Sequence, residues 1–486
     1  MTSGNAMGAT AMALAGALKV AVQILVLPVI GRVLGPHAYG QIALVSPFII
    51  FSMMIAESGL GACIVRAEQV TAALEGTVFC FSAGLSLIII AGFAVIAWPV
   101  GQLLHEPLFP PLLLAMSSIL LLASLHIVPA ALLLRARRYD WIACCDVVAS
   151  FGGIGATVLG LALGWGVWSL IAQQVAFWLC KAGVATIGSH YRPRLVFHFA
   201  LIREHAQFGA NLTGGALLGF IARNIDNLLI GAFIGTEALG YYAMAFQVVC
   251  LPQMILSGSI YVTLFSSTSE ARRAGRVVPD QFLAVLRGSL LIAVPALVGI
   301  ASTGPLSVPL LLGDRWLPMV GLMWLLVPFG IAQASSAATG GVLIGLGRAD
   351  ITFRLTLIGA TSTILAILIG VQIGTMAVAF GVSLTAMLSL WLSLQAVMRE
   401  CAARPGDVIG VFLPPLVAAL LMGAAVMGLQ QLLPPGLSRL AALPVCILAG
   451  MLVYGLALLV FFRTQVIALR ELVKTLLLAR LNRSAA

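Results

Sequence analysis

Two cationic side chains sit where a membrane helix ought to be most apolar. Lys19 is the first charged residue of the chain, and Arg223 is flanked by an uncharged run reaching back to His205. An Arg or Lys at a helix centre costs about 2.5–3.5 kcal/mol even on lenient insertion scales. The pair therefore calls for roughly 5–7 kcal/mol of compensation, as large as the net stability of many domains. A hydrated chamber or a bound anion supplies it. Gln23 stands one helical turn from Lys19 on the same face, and Asn224, Asp226 and Asn227 extend the polar stripe beside Arg223. Lysine, guanidinium and amide groups in this arrangement grip an anion and hydrogen-bond to hydroxyls. Within the second stripe, Arg223 and Asp226 at i and i+3 can also neutralise each other.

Other ionisable residues in apolar stretches invite separate readings. Glu57, Asp146 and Asp226 are carboxylates able to carry a proton or sodium ion, although Glu57 and Asp146 lie near helix ends where water also reaches them. Arg32, one residue past Gly31 near the outer face, stands where it would guard an exit or anchor the helix. Lys181 is expected to snorkel toward the inner surface. His126, central in its apolar stretch, is expected to hydrogen-bond to a neighbouring helix.

The elements that carry these residues are membrane helices. Hydrophobic residues make up 61% of the 486 and charged residues 9%, with a mean hydropathy of +1.11. A water-soluble fold of this size could not be so poor in charge. A span needs about 20 apolar residues, and the chain offers fourteen: 8–34, 39–63, 77–100, 109–134, 142–163, 166–188, 208–234, 239–265, 284–311, 318–345, 352–371, 375–397, 409–431 and 440–462. Barrel strands would read as alternating ten-residue segments, which are missing.

Arginine and lysine set the orientation. With the amino terminus in the cytoplasm, twenty of the twenty-six fall on the inner side. Only Arg315 and Arg439 fall outside, and Lys19, Arg32, Lys181 and Arg223 are embedded. Both termini are expected in the cytoplasm, and the net charge of +10 reflects inner-face anchoring, so nucleic acid is not an expected partner. The first 18 residues carry no charge from which to build a signal peptide. Trp98, Trp165, Trp168 and Trp316 are expected at the outer interface and Trp141 at the inner one. The eight cysteines lack C-x-x-C spacing and read as apolar filler.

An internal repeat organises the helices. Gly31, Gly35 and Gly40 recur as Gly231, Gly235 and Gly240 at an offset of 200 residues. "LLHEPLFP" (103–110) answers "LLGDRWLP" (311–318) at 208, and "RRYD" (137–140) answers "GRAD" (347–350) at 210. Six spans separate the copies, so both enter from the same side as parallel repeats about an axis along the membrane normal. At the first offset Arg223 aligns with Gln23. The expected organisation is an N-lobe (1–189), a cytoplasmic linker (190–207), a C-lobe (208–398), an added helix pair (399–462) and an amphipathic tail (463–486). Residues 267–283 also read as an interfacial amphipathic helix.

No phosphate-binding loop, G-x-S-x-G serine or H-E-x-x-H pair occurs, and no outer loop exceeds roughly ten residues, too short to house an extramembrane active site. Neither an enzyme nor a cofactor is expected.

The stretches "VLPVIGRVLGPHAYGQIAL" (26–44), "RNIDNLLIGAFIGTEALGYYAMAFQVVCLP" (223–252) and "LLGDRWLPMVGLMWLL" (311–326) resemble the polysaccharide transporter family of Wzx-type flippases. That family sits within the multidrug/oligosaccharidyl-lipid/polysaccharide exporter superfamily, and the likeness runs over about residues 7–400. It implies transfer of a polyprenyl-diphosphate-linked oligosaccharide from the cytoplasmic to the periplasmic leaflet of the bacterial inner membrane, for exopolysaccharide, capsule or O-antigen. Membrane lipids, a polysaccharide polymerase and glycosyltransferases are the implied partners. Two other readings stay open: an ion-coupled multidrug antiporter on the same frame, with an acid-lined chamber, and a scaffold that transports nothing.

Overall fold

The computed structural model describes residues 3–57, 59–199, 220, 224–274, 279–401, 403–434 and 437–462. Along the first helix, side chains are described from Val26 onward, together with that of Leu18. Among the described residues there are helices and no strands. In chain order these are α1 (Ser3–Glu57), α2 (Leu60–Arg66), α3 (Ala72–Leu103), α4 (Phe109–Arg135), α5 (Tyr139–Ala162), α6 (Trp168–Ser189) and α7 (224–233). There follow α8 (Thr236–Arg273), α9 (Pro279–Leu311), α10 (Met319–Gly345), α11 (Ala349–Gly370), α12 (Thr375–Cys401), α13 (Pro405–Leu432) and α14 (Arg439–Phe461). Eleven stretches among the described residues are long and apolar enough to cross a membrane. The chain is an all-α integral membrane protein, since lipid leaves backbone groups no partner outside a helix or a closed barrel.

The expected span 8–34 lies on the first arm of α1, and 39–63 runs from its second arm across the break into α2; the arms join where Gly35 leaves the helical region (φ 72°, ψ 174°). The span expected at 208–234 falls largely outside the described residues, and 239–265 lies within α8. Residues 267–283 do not form a helix of their own. Residues 267–273 complete α8 and 279–283 open α9, because both long helices run on past their apolar cores. The tail 463–486 lies outside the described residues.

Met1–Gly240 and Tyr241–Ala486 form two compact units. In the first, α5 and α6 approach through small residues, as membrane helices do when packing rather than hydrophobicity drives association. A Cβ on Gly153 would stand 3.1 Å from the Gln173 carbonyl, and one on Gly160 2.9 Å from Ser169 Oγ. Hydroxyls tie neighbours together: Ser82 Oγ donates to the Ala56 carbonyl (3.1 Å) and Ser86 Oγ to that of Leu120 (3.2 Å). In the second unit, α9, α10 and α12 enclose Leu290, Val294, Leu326, Ala338 and Val378. Ser289 Oγ donates to the Ala334 carbonyl (3.1 Å), and Tyr454 Oη on α14 reaches that of Leu291 (2.9 Å). Leu440, Met451, Leu452 and Val460 on α14 point outward, a surface suited to lipid.

The repeat is written in the backbone as well. Positive φ occurs at Gly35 and Gly235 (72° and 115°), at His105 and Gly313 (55° and 101°), and at Arg137 and Gly347 (54° and 75°). These pairs stand at the offsets read from the sequence. The last pair closes identical turns: Arg138 N donates to the Leu133 carbonyl and Arg348 N to that of Leu343, both at 2.9 Å. This six-to-one bond is the Schellman closure of a helix end.

One tryptophan of the expected outer belt turns its ring into the protein. Trp98, Trp165 and Trp168 are exposed, whereas Trp316 is completely buried. A single 3-10 turn, Asp314–Trp316, folds its indole inward against Tyr241, edge to face at 6.1 Å.

Candidate functional site

Lys19 and Gln23 stand one turn apart on the first arm of α1. Their side chains, and the whole of Arg223, lie outside the described residues. The rest of the second polar stripe opens α7. Asn224 Nδ2 donates to the Phe220 carbonyl (3.0 Å), and Asp226 Oδ1 accepts from the Asn227 backbone N–H (2.9 Å). Asp226 is only 6% exposed, so a carboxylate is held inside protein at the head of this helix. Phe220 meets Phe51 at 6.2 Å, bringing the start of α7 against the second arm of α1. Arg32 is exposed, three residues before the Gly35 kink.

A second polar group gathers elsewhere in the first unit. Glu57 is the last residue of α1, and the chain then turns through Gly59 (φ 68°) into the short α2. This break opens a cavity of about 440 Å³ lined by Glu57, Gly59, Arg66, His126 and Ala130, among others. Beside it, Lys181 Nζ on α6 pairs with Asp146 Oδ1 on α5 at 2.8 Å. The ammonium also stands over the rings of Phe177 (5.6 Å) and Trp178 (5.5 Å), where ring quadrupoles attract a cation. Trp178 meets the His126 ring edge-on at 5.8 Å. Lys181 lies within electrostatic reach of both Glu57 and His126.

Five ionisable residues from α1, α2, α4, α5 and α6 thus form one cluster. Two of them, Glu57 and Asp146, are the carboxylates singled out from sequence; Asp226 is not among the residues lining that cavity. Lys181, expected to snorkel inward, is held by a carboxylate on the next helix and two aromatic faces. His126 meets an aromatic edge where a hydrogen bond to a neighbouring helix was expected. Its place in the cluster has no sequence signal, since its companions come from other helices. Glu57, Arg66 and His126 line a space wide enough for water, with the Lys181–Asp146 pair beside it, a set able to take up and release a proton.

Residues 29–321 match the family model described as "Polysaccharide biosynthesis protein". The chain belongs to that family. It is similar to "Lipopolysaccharide biosynthesis protein WzxC" of Escherichia coli (strain K12), with 23% identity over 383 residues covering 78% of this chain and 76% of the relative. It is also similar to "Succinoglycan biosynthesis transport protein ExoT" of Rhizobium meliloti (strain 1021), with 25% identity over 72% of this chain and 71% of the relative. Among solved structures, "Lipid II flippase MurJ, inward closed conformation" superposes with a TM-score of 0.73 at 15% identity, over 95% of this chain and 99% of that one. An inward-facing multidrug resistance MATE family transporter of the MOP superfamily gives 0.60 at 16% identity, over 79% of this chain and 95% of that one. At such identities the two structures establish a shared fold for this polysaccharide biosynthesis family member. It is a multi-pass bacterial membrane protein.

Proposed function

We propose that this protein is a flippase that moves a polyprenyl-diphosphate-linked oligosaccharide from the cytoplasmic to the periplasmic leaflet by alternating access. The observation that carries the reading is the match of residues 29–321 to the polysaccharide biosynthesis family. The names of its relatives, lipopolysaccharide biosynthesis and succinoglycan transport, and a fold shared with a lipid II flippase support it.

The physics of such a cargo matches the residues available. Each sugar hydroxyl buried without a partner costs on the order of 2–7 kcal/mol, so the head group cannot cross bare lipid. It requires a wet, polar chamber, while the polyprenyl tail stays in the bilayer. Lys19 and Arg223 hold the diphosphate, Arg223 by bidentate bonds. Gln23, Asn224 and Asn227 meet sugar hydroxyls. Arg32 guards the exit. Glu57, Asp146 and Asp226 carry the coupling ion.

In this reading the N-lobe (1–189) and C-lobe (208–398) rock about a pseudo-twofold axis. The linker 190–207 and both termini are cytoplasmic, and 399–462 is an added helix pair. Polymerase and glycosyltransferases act on either side of the transfer step. Deleting the gene tests the proposal: surface polysaccharide is lost, and lipid-linked oligosaccharide accumulates where only cytoplasmic reagents reach it. Normal polymer at the surface of the deletion strain would refute the assignment.

A further inference from the structure

A partly buried carboxylate, its side chain 13% exposed, joins three distant segments of the first unit outside the cluster and the polar stripes. Glu106 lies in the turn between α3 and α4, shaped by His105 at φ 55° and held by its own N–H donating to the Gly101 carbonyl (3.0 Å). Its Oε1 accepts from Thr236 Oγ1, the first residue of α8, at 2.6 Å. Its Oε2 accepts from Gln41 Nε2 on α1 at 3.3 Å. His37 Nε2, one turn earlier on α1 and largely exposed, stands 3.9 Å from Oε1. Thr236 and Gln41 are only 2% and 6% exposed, so parting them from the carboxylate leaves polar groups without partners.

The same place is a seam of backbone against backbone. A Cβ on Gly40 would collide with the Thr236 carbonyl, and one on Gly240 with the Pro36 carbonyl. Residues 36 and 236, like 40 and 240, are equivalent in the repeat, so the contact is reciprocal. Each side begins at a positive-φ glycine, Gly35 or Gly235, a natural place for the chain to bend. No side chain stands between these glycines and the facing carbonyls, while Leu44 of α1 packs against Gly231 beside the seam. The charge beside it is not duplicated. Asp314, the repeat equivalent of Glu106, is exposed and pairs with Arg439 at 2.7 Å.

We propose that Glu106 is a latch. It holds the 36–41 turn of α1 against residues 236–240 in this conformation and releases them in the opposite state of the transport cycle. The seam supplies close fit, and the carboxylate supplies the directional bonds that set the balance between the two states. The proposal rests on the alternating-access reading, but its test does not require transport.

Hydrogen–deuterium exchange on the purified full-length protein in lipid nanodiscs provides that test, comparing wild type with E106Q, T236V and D314N. Thr236→Val keeps the side-chain shape and removes one donor; Glu106→Gln keeps the size and removes the charge. Both should speed exchange of amides 36–41 and 236–240 by roughly tenfold or more, the factor expected for losing a hydrogen bond to a charged group. Amides in α10 should keep their protection, and Asp314→Asn should leave 36–41 at the wild-type rate. Unchanged exchange at the seam in both latch variants, or a rise shared equally by α10, overturns the latch. A wild-type protein that moved no lipid-linked sugar would instead defeat the flippase reading and leave the latch intact.

Discussion

Lys181 Nζ lies 2.8 Å from Asp146 Oδ1 across the α5–α6 interface, with side chains 20% and 33% exposed. An ion pair this sheltered is costly to break singly, because removing one partner strands the other in a poor solvent. Replacing both partners with neutral residues removes the penalty along with the attraction.

Lys181→Met and Asp146→Asn should therefore each lower the stability of the detergent-purified protein by about 1–3 kcal/mol, below the fully buried range because water reaches both groups. The double variant should recover a large part of that loss. Thermal unfolding of all four proteins gives the coupling energy directly. Additive losses in the double variant would show that the two side chains act independently.

Gly40 and Gly240 form the reciprocal seam, so alanine at either site inserts a methyl group into a backbone carbonyl of the other strand of the chain. Both substitutions should cost about 1–3 kcal/mol or more and reduce the folded fraction to similar extents. Gly428→Ala, where nothing lies within 4 Å of the added methyl, should be tolerated. Melting temperatures from size-exclusion profiles of the heated protein distinguish these outcomes.

Trp316 and Trp98 separate burial from sequence position. Trp316→Ala removes a fully buried indole and should cost on the order of 3–5 kcal/mol, seen as a lower melting temperature and reduced yield. Trp98 is 54% exposed, and its alanine variant should melt within a few degrees of wild type.

The multidrug antiporter reading makes a separate prediction. If the cargo is an anionic lipid-linked sugar, overexpressing the protein in a drug-sensitive strain should leave inhibitory concentrations of cationic dyes and antibiotics unchanged. A several-fold rise, lost in Asp226→Asn, would favour drug export.

The membrane fold was legible because lipid imposes a coarse rule, long apolar helices with basic inner loops, that survives imprecise boundaries. Local repetition was legible too, since Gly35 and Gly235 or Arg137 and Gly347 mark turns through the backbone conformation they adopt. What stayed hidden depends on partners distant in sequence. Lys181 read as a snorkelling lysine because Asp146 is on another helix. Glu106 carried no signal in the sequence, since nothing near it announces Gln41 or Thr236. Trp316 followed the belt pattern by position, and a single 3-10 turn was enough to bury it. Lys19, Gln23 and Arg223 remain proposals argued from the cost of charge in lipid.

Those residues also supply the most direct test of the account. Purified wild-type protein and the K19A/R223A variant are reconstituted into vesicles carrying a fluorescent polyprenyl-diphosphate oligosaccharide, and the fraction exposed on each leaflet is followed with time. Transfer well above protein-free vesicles is predicted for the wild type. Losing two charge-assisted contacts of about 1.5–3 kcal/mol each predicts a rate at least roughly a hundredfold lower in the variant. Equal rates in wild type and variant, or wild-type transfer no faster than in empty vesicles, would contradict the account.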